Sequence, residues 1–264
     1  MKPLASLGLR CVRPLVTTLL VIAVPLPHAL AQAPIADNSF LIEEAYNQEQ
    51  GVVQHIGTWL RALRSSPWLF TFTQEWPLGS QTHQLSYSIP FQGGEGPQRY
   101  SGFGDAAINY RYQLLAADAR VALAPRVSVL IPTGSEARGL GVGSFGAQLN
   151  VPLSAKLGSS FVSHWNAGVT AIPQVTTYNV GGSLIWLASP VFNILCEVVW
   201  LEQTTGARSV ILNPGVRWAH NLASGLQIVP GVAYSVGLGP SRGEQAAFLY
   251  LSFEHRFRAE SAQN

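Results

Sequence analysis

The chain has little cysteine and little charge, and beyond its first thirty residues it has no apolar run long enough for a membrane helix. Only 11% of its residues are charged, and it contains two cysteines, Cys11 and Cys196. Cys11 lies in the predicted leader described below, so the mature chain keeps one cysteine and no intrachain disulfide is possible. The lack of a cysteine pair excludes a small secreted domain stabilised by disulfide bonds.

The N-terminus has the three parts of a secretory signal peptide. Lys2, Arg10 and Arg13 supply positive charge, residues 14–26 form an uncharged and largely apolar run, and residues 29–31 read Ala-Leu-Ala. This order predicts residues 1–31 as a signal peptide with cleavage after Ala31.

The mature chain is close to neutral. Removing residues 1–31 leaves 13 Lys and Arg against 14 Asp and Glu, a formal charge of −1. No basic patch remains to indicate nucleic-acid binding, so no nucleic-acid partner is predicted.

Alternation of apolar and polar side chains is the main pattern present. Between Ala106 and Leu114, one side carries Ala106, Ile108, Tyr110, Tyr112 and Leu114, and the other carries Ala107, Asn109, Arg111 and Gln113. Successive side chains of a strand point to opposite faces. The apolar face meets a second sheet in a soluble sandwich and meets lipid in an outer-membrane barrel.

Twelve such segments follow one another after Gly51, each about long enough to cross a bilayer when tilted. They are residues 52–62, 68–77, 82–91, 103–115, 119–132, 144–155, 160–171, 178–188, 191–202, 208–219, 225–236 and 246–257. The connections after even-numbered segments are mostly tight, and those after odd-numbered segments are mostly longer. This sorting, together with tryptophans and tyrosines near strand ends, favours an outer-membrane barrel over a sandwich.

The predicted fold class is therefore all-β, a single antiparallel transmembrane β-barrel of about 12 strands. Residues 52–257 form the barrel, and residues 258–264 form a C-terminal tail. Residues 32–51 do not alternate and are expected on the periplasmic side or folded into the barrel mouth. Within them, the acidic stretch 40–49 is compatible with a short helix.

The last segment, residues 247–257, ends in Phe257 after alternating aromatic and aliphatic residues. It resembles the C-terminal signal of bacterial outer-membrane proteins, which implies recognition by the barrel-assembly machinery. The tail after Phe257 departs from that signal, which normally finishes the chain.

Turning the apolar face outward places polar and ionisable groups of both signs in the lumen. The predicted lumen-lining residues are Glu75, Asp105, Asn109, Arg111, Arg126, His164, Glu197, Arg217 and Glu254. Buried charges are tolerable only when they are paired or hydrated. The set is therefore either a network of ion pairs that fills the barrel or a selectivity lining for a small solute.

An outer-membrane acyl hydrolase is a further alternative, since His83 and His255 fall on the apolar face. Ser163 precedes His164, but adjacent strand residues point opposite ways and cannot pair directly. A serine or carboxylate from a neighbouring strand would be needed to complete a site. No catalytic, metal or cofactor site is predicted.

Several longer motifs carry a family resemblance. They are FLIEEAYNQE (residues 40–49), GVVQHI (51–56), INYRYQLL (108–115), IPTG (131–134), HWNAG (164–168) and LNPGVRW (212–218). They resemble the outer-membrane transporters named for the MetA pathway of phenol degradation. The resemblance implies an outer-membrane β-barrel that acts in transport, in some cases linked to hydrocarbon catabolism, and it does not specify the solute.

We therefore expect a passive channel for a small solute, aromatic and hydrophobic molecules included, in the outer membrane of a Gram-negative-type cell. Its expected partners are outer-membrane lipid, the assembly machinery and the solute, and it needs no cofactor. The alternative is a structural barrel whose lumen is closed by ion pairs.

Overall fold

The computed structural model describes residues 35–95, 99–222 and 226–256. The predicted signal peptide, Phe257 and the tail 258–264 lie outside the described residues. Within the described part, the only helical elements are two three-residue 3₁₀ turns, Glu136–Arg138 and Gly239–Ser241. Neither has the length or the apolar character that a membrane-crossing helix needs.

Fifteen strand segments make up the wall. They are β1 Val52–Ala62, β2 Trp68–Leu78, β3 Ser80–Gly94, β4 Tyr100–Phe103, β5 Ala106–Tyr112, β6 Val121–Leu123, β7 Arg126–Ile131, β8 Gly146–Leu157, β9 Phe161–Ile172, β10 Val175–Ser189, β11 Phe192–Gln203, β12 Arg208–Trp218, β13 His220–Asn221, β14 Gln227–Gly237 and β15 Gln245–Arg256.

These segments form one closed antiparallel barrel. Neighbours along the chain pair with each other, and β1 pairs with β15 from Val52 opposite Arg256 to Ala62 opposite Ala246. Three strands are interrupted, so that β4 with β5, β6 with β7, and β12 with β13 each count as one strand of the barrel. The predicted all-β barrel of twelve strands is confirmed.

The connections are less sorted by length than the sequence suggested. The predicted fourth strand, 103–115, is interrupted at Gly104 and Asp105 and ends at Tyr112, so residues 113–120 form a long connection on the side expected to be tight. Leu114 and Leu115 both donate to the Leu123 carbonyl oxygen, at 2.8 and 3.0 Å, which folds this connection against β6. On the opposite side, only residues 173–174 separate β9 from β10.

Two prolines on the outward face coincide with gaps in strand pairing. Pro214 lies where the β12–β14 pairing skips from Leu212 to Gly215, and Pro230 lies beside the break between β12 and β13. A proline has no N–H to donate to a ladder. Each proline is paired on its other side, Pro214 opposite Cys196 and Pro230 opposite Leu251.

The barrel is polar inside and apolar outside. Ile108, Tyr110 and Tyr112 are exposed, while Asn109 and Arg111 between them are buried. The most completely buried side chains include Arg217, Glu197 and His164. This inversion is what a barrel surrounded by lipid requires, and it agrees with the face assignment made from alternation.

Cys196 offers a direct test of this orientation, because it is exposed near the middle of β11 and its neighbour Glu197 is fully buried. A fluorophore on Cys196 in proteoliposomes should be quenched strongly by a nitroxide-labelled lipid and only weakly by aqueous iodide. The control is Thr205→Cys in a Cys196→Ser background, at the exposed connection between β11 and β12, where iodide should dominate. Equal iodide quenching at both positions would contradict a lipid-facing β11.

Candidate functional site

The interior of the barrel is occupied by residues 35–50, called the lumen segment below. The backbone N–H of Ile35 donates to the Pro190 carbonyl oxygen at 2.8 Å, near the end of the barrel where β1 begins and β15 ends. From there the segment runs along the barrel axis to Leu41, where it turns back along the opposite wall. On the returning part, the Gln48 N–H donates to the Gln84 side chain at 2.7 Å. It contains no helix, in contrast to the short helix considered for residues 40–49.

Glu197 on β11 binds the top of the lumen segment. Its Oε1 accepts the backbone N–H groups of Phe40, Leu41 and Ile42 at 3.0, 2.8 and 3.1 Å, and its Oε2 accepts from the Asn213 amide at 2.7 Å. No ion pair of Glu197 occurs among the described residues. A buried carboxylate is costly unless hydrogen bonds compensate it, so this side chain and the bend at residues 40–42 stabilise each other.

Arg126 on β7 binds the Glu43 carboxylate. Its Nε donates to both carboxylate oxygens, at 3.0 and 2.9 Å, and Nη2 donates as well. The same guanidinium donates to Asn109 Oδ1 at 3.0 Å, to Gln148 Oε1 at 2.8 Å and to Ser128 Oγ. Arg126 is therefore oriented by the wall as well as by the lumen segment.

Arg111 on β5 holds the descending part of the segment. It donates to Asn47 Oδ1 at 3.0 Å, to the Glu44 carbonyl oxygen at 3.0 Å and to the Tyr46 carbonyl oxygen at 3.1 Å. Its Nη2 lies 3.5 Å from Glu75 Oε2. One guanidinium thus satisfies two backbone acceptors that have no strand partner.

Two further wall residues hold the ascending part. Arg217 donates to the Asn38 carbonyl oxygen, and His164 Nε2 donates to the Asp37 carbonyl oxygen at 2.8 Å. A carbonyl oxygen only accepts, so His164 carries its proton on Nε2. Its Nδ1 lies 2.6 Å from the Ser154 hydroxyl oxygen.

Glycines in the wall make room for the apolar side chains of the segment. The Phe40 ring packs against Phe248 and Tyr250, with ring centroids 5.2 and 5.4 Å apart. A Cβ at Gly215 or Gly231 would lie 2.6 or 2.7 Å from that ring. Close packing at these two positions therefore requires glycine.

Most of the predicted lumen residues converge on the lumen segment. Five contact it directly: Arg111, Arg126, His164, Glu197 and Arg217. Asn109 and Glu75 act through the two arginines. Glu254 accepts from Gln54, which in turn accepts from Gln48, each at 2.7 Å.

Asp105 has a different role from the other predicted residues. It lies in the break between β4 and β5, and it accepts the backbone N–H groups of Gly134 and Val142 at 2.9 and 2.8 Å. It therefore stabilises the long connection after β7, and it does not contact the lumen segment in the described structure.

Several lumen contacts were not in the predicted set. They are made by Glu43 and by the uncharged side chains Gln54, Gln84, Gln113, Gln148 and Ser154. The uncharged residues lie on the polar face of their strands, so alternation alone points to them. Glu43 had no such signal, because the segment that carries it does not alternate.

Among the described residues, Leu41 borders three cavities beside the lumen segment. The apolar chamber has a volume of 630 Å³ at the mouth where β1 ends and β15 begins, and its lining includes Leu60, Val199, Leu201 and Ile211. The arginine cavity has a volume of 340 Å³, and its lining includes Thr58, Glu75, Asn109, Arg111, Arg126 and Tyr250. The third cavity, of 220 Å³, lies between Ile42 and polar side chains of β8 to β10.

The residues considered for acyl hydrolysis have other partners. The Ser163 hydroxyl donates to the Ser183 carbonyl oxygen at 3.0 Å, and His83 Nδ1 lies 2.7 Å from the Tyr110 hydroxyl. His255 stacks on His55, with ring centroids 5.2 Å apart. Over the described ranges, no three His, Cys, Asp or Glu side chains cluster in a way that would hold a metal ion.

Five of the six sequence motifs that suggested a family, all but residues 131–134, contribute to the contacts of the lumen segment. Residues 40–49 form most of the lumen segment, the motif at 164–168 supplies His164 and Asn166, and the motif at 212–218 supplies Asn213 and Arg217. Asn166 accepts the Glu43 N–H and donates to the Glu43 carbonyl oxygen, both at 2.8 Å. Motifs far apart in the chain are thus parts of one contact network.

Comparison with known proteins identifies the fold. No family model and no curated protein matches the chain, so the resemblance to the MetA-pathway transporters is not confirmed. Among solved structures, the COG4313 outer membrane channel from Pseudomonas putida F1 is similar, with a TM-score of 0.56 and 15% identity over 81% of this chain and 98% of that one. KdgM porin has a TM-score of 0.53 and 8% identity over 78% of this chain and 99% of that one. NanC porin has a TM-score of 0.50 and 7% identity over 76% and 98%. The chain thus has the fold of an outer-membrane β-barrel.

Replacing Gly231 by alanine should loosen the lumen segment, because the new Cβ would lie 2.7 Å from the Phe40 ring and 2.9 Å from Arg217 Cγ. Overpacking of this kind costs about 1–3 kcal/mol. We expect faster hydrogen exchange at residues 40–48, with partial recovery in a Gly231→Ala/Phe40→Leu double variant. Gly57→Ala is the matched control, since its Cβ would meet Phe70 at an ordinary 3.5 Å. Equal exchange in both glycine variants would argue against this packing.

Acid should weaken the Glu43 contact. Burial by itself raises the pKa of Glu43, but the charges of Arg126 and Arg111 and the hydrogen bond from Arg126 outweigh it and leave the pKa below its ordinary 4.5. A lowered pKa means that the stabilisation is complete above the ordinary pKa and is lost as pH falls through the value in the folded protein.

In denaturant titrations, Glu43→Gln should cost about 2 kcal/mol at pH 7, the scale of a hydrogen bond to a charged group. The difference from the wild type should shrink as pH falls below about 4.5, because a protonated glutamate resembles glutamine. A difference that does not change with pH would show that the Glu43 charge contributes nothing.

Proposed function

We propose that this protein is a passive channel for a small solute in the outer membrane. Its outward face is apolar, its lumen is lined by charged and amide side chains, and its fold is that of outer-membrane channel barrels. Selection would rest on size and on the polarity of the lining, without covalent chemistry and without an energy source.

The observation that carries this proposal is the set of cavities around Leu41. The apolar chamber lies at one mouth, and the arginine cavity and the third cavity lie beside the lumen segment at the depth of Glu43. All three border the same side chain, at the top of a segment that is not part of the wall. Movement of that segment would join the cavities, which a barrel filled by its own strands would not allow.

The apolar chamber favours a solute with a hydrophobic or aromatic body. Its lining includes the aliphatic side chains of Leu60, Val199 and Ile211, and Arg64 and Glu244 border it as well. Pockets of about 300–1,000 Å³ bind small organic ligands, and burial of apolar ligand surface against aliphatic side chains is favourable. We infer that such molecules enter from the mouth where β1 ends and β15 begins.

We further propose that the chain is related to the MetA-pathway transporters. Five of the six motifs on which that resemblance rests, all but residues 131–134, contribute to the lumen segment or its anchors, which is the part that distinguishes this barrel from an open pore. The assembly machinery would recognise β15, whose Leu249, Leu251 and Phe253 face outward.

A structural barrel with a closed lumen is the second candidate. It is favoured by the density of hydrogen bonds on the lumen segment, including three to Glu197 Oε1 and the Arg126 contacts with Glu43. In that case the segment is a permanent filling, and the cavities do not connect.

Planar-bilayer conductance separates the two candidates. The wild type should show small and infrequent openings, and a variant that lacks residues 35–48 should show a larger and steadier conductance, because this segment occupies the lumen. Heat-modifiable gel migration should establish first that the shortened chain still folds as a barrel. Should a folded, shortened barrel carry no current, the channel function would be excluded.

A further inference from the structure

We propose that Arg126, with Arg111 beside it, is a binding site for the carboxylate of an amphipathic organic acid, and that Glu43 occupies this site as an internal substitute for that ligand. The inference rests on the proposed channel function and specifies the chemistry of its solute.

Arg126 is prepared to bind a carboxylate whether or not Glu43 is present. Asn109 and Gln148 accept from its guanidinium at 3.0 and 2.8 Å, and Ser128 accepts as well. These acceptors lie on three neighbouring strands, so the wall fixes the plane of the guanidinium. A planar guanidinium held in this way is suited to binding a carboxylate through two oxygens.

Glu43 is the exchangeable partner of this pair. The side chain of Glu43 is 32% exposed, compared with 13% for Arg126 and 4% for Arg111. It belongs to the lumen segment and borders the arginine cavity, whereas both arginines belong to the wall. A solute that reaches this cavity therefore meets the carboxylate of Glu43 at the position where its own would bind.

The apolar chamber indicates what the rest of the ligand should be. It lies on the other side of Leu41 from the arginine cavity, and Leu41 is 37% exposed between them. A ligand with an apolar body and one carboxylate would place the body among Leu60, Val199 and Ile211. Its acidic group would reach past Leu41 to Arg126.

Ligand binding would also release one of the contacts between the lumen segment and the wall. When the ligand carboxylate replaces Glu43, the segment loses the side-chain contact that joins its top to β7. Glu197 still binds residues 40–42 from the opposite wall, and Arg111 still binds residues 44–47. The expected result is a local shift of the Glu43 side chain that widens the arginine cavity beside Leu41.

Calorimetric titration with hexanoate tests the proposal, using the full mature protein in lipid nanodiscs at pH 7. Hexanamide is the matched neutral probe, and acetate is the matched probe without an apolar body. Glu43→Gln should bind hexanoate at least about tenfold more tightly than the wild type, because the internal competitor is gone. Arg126→Gln should abolish hexanoate binding, and hexanamide should bind weakly to every variant.

Glu202→Gln is the control variant, since Glu202 forms an exposed ion pair with Arg208 at 2.7 Å at the strand ends. It should bind hexanoate as the wild type does. Hydrogen exchange in the wild type gives a second measurement that needs no variant. Saturating hexanoate should speed exchange at the Glu43 amide, and hexanamide should not.

Three results would overturn the proposal: equal binding of hexanoate and hexanamide, hexanoate binding that survives Arg126→Gln, or no gain from Glu43→Gln in a folded barrel. Acetate binding as tight as that of hexanoate would remove the apolar body from the ligand and refute the class proposed here. These are equilibrium measurements, so failure here leaves the conductance result standing. Conversely, a barrel that binds hexanoate without conducting would refute only the channel function.

Discussion

Closure of the strand ring in lipid is the constraint on which the rest of this structure depends. The hydrocarbon region offers no hydrogen-bond partner, so every backbone group in the wall must pair with a neighbouring strand, and pairing β1 with β15 removes the last free edge. Closure also divides the side chains into two environments. Apolar groups such as Ile108 and Tyr110 face outward, and Arg111 and Glu197 face inward, where their charges need partners. The polar interior is thus a consequence of the apolar surroundings.

The lumen segment and the charged lining depend on each other. A ring of twelve strands encloses more space than its own side chains fill, and residues 35–50 occupy much of that space. The segment has no strand or helix partner, so its backbone groups require side-chain partners from the wall. Glu197 accepts three consecutive N–H groups, and Arg111 donates to two carbonyl oxygens. The residues that would otherwise be buried unpaired charges are therefore the ones that hold the segment.

This arrangement reconciles the two functions that the sequence left open. The lining does satisfy charges in the way a closed barrel would, through Arg126 with Glu43 and Arg111 with Glu75. Yet one partner of the Arg126 pair lies on the lumen segment and is partly exposed to a cavity. The contact between Glu43 and Arg126, which fills the lumen when no solute is bound, can be one that a solute replaces. Similar folds at 7–15% identity do not specify these side chains, so the chemistry of the lumen has to be derived from this chain.

The amino-acid sequence by itself determined the barrel, because alternation is local: each strand shows which face meets lipid, and twelve strands in succession imply antiparallel neighbours. It also identified Arg111, Arg126, Glu197 and Arg217 as inward-facing, for the same reason. The partners of these residues were decided only by the tertiary structure. Glu43 lies 83 residues from Arg126 and Leu41 lies 156 from Glu197, and neither sits in an alternating segment. Asp105 is a residue for which alternation gave the wrong environment. Its polarity suggested a position in the lumen, but a break in the strand directs its side chain to the connection after β7. Sequence periodicity shows which side chains share a face of a strand. Only closure of the barrel in three dimensions determines which groups that face contacts.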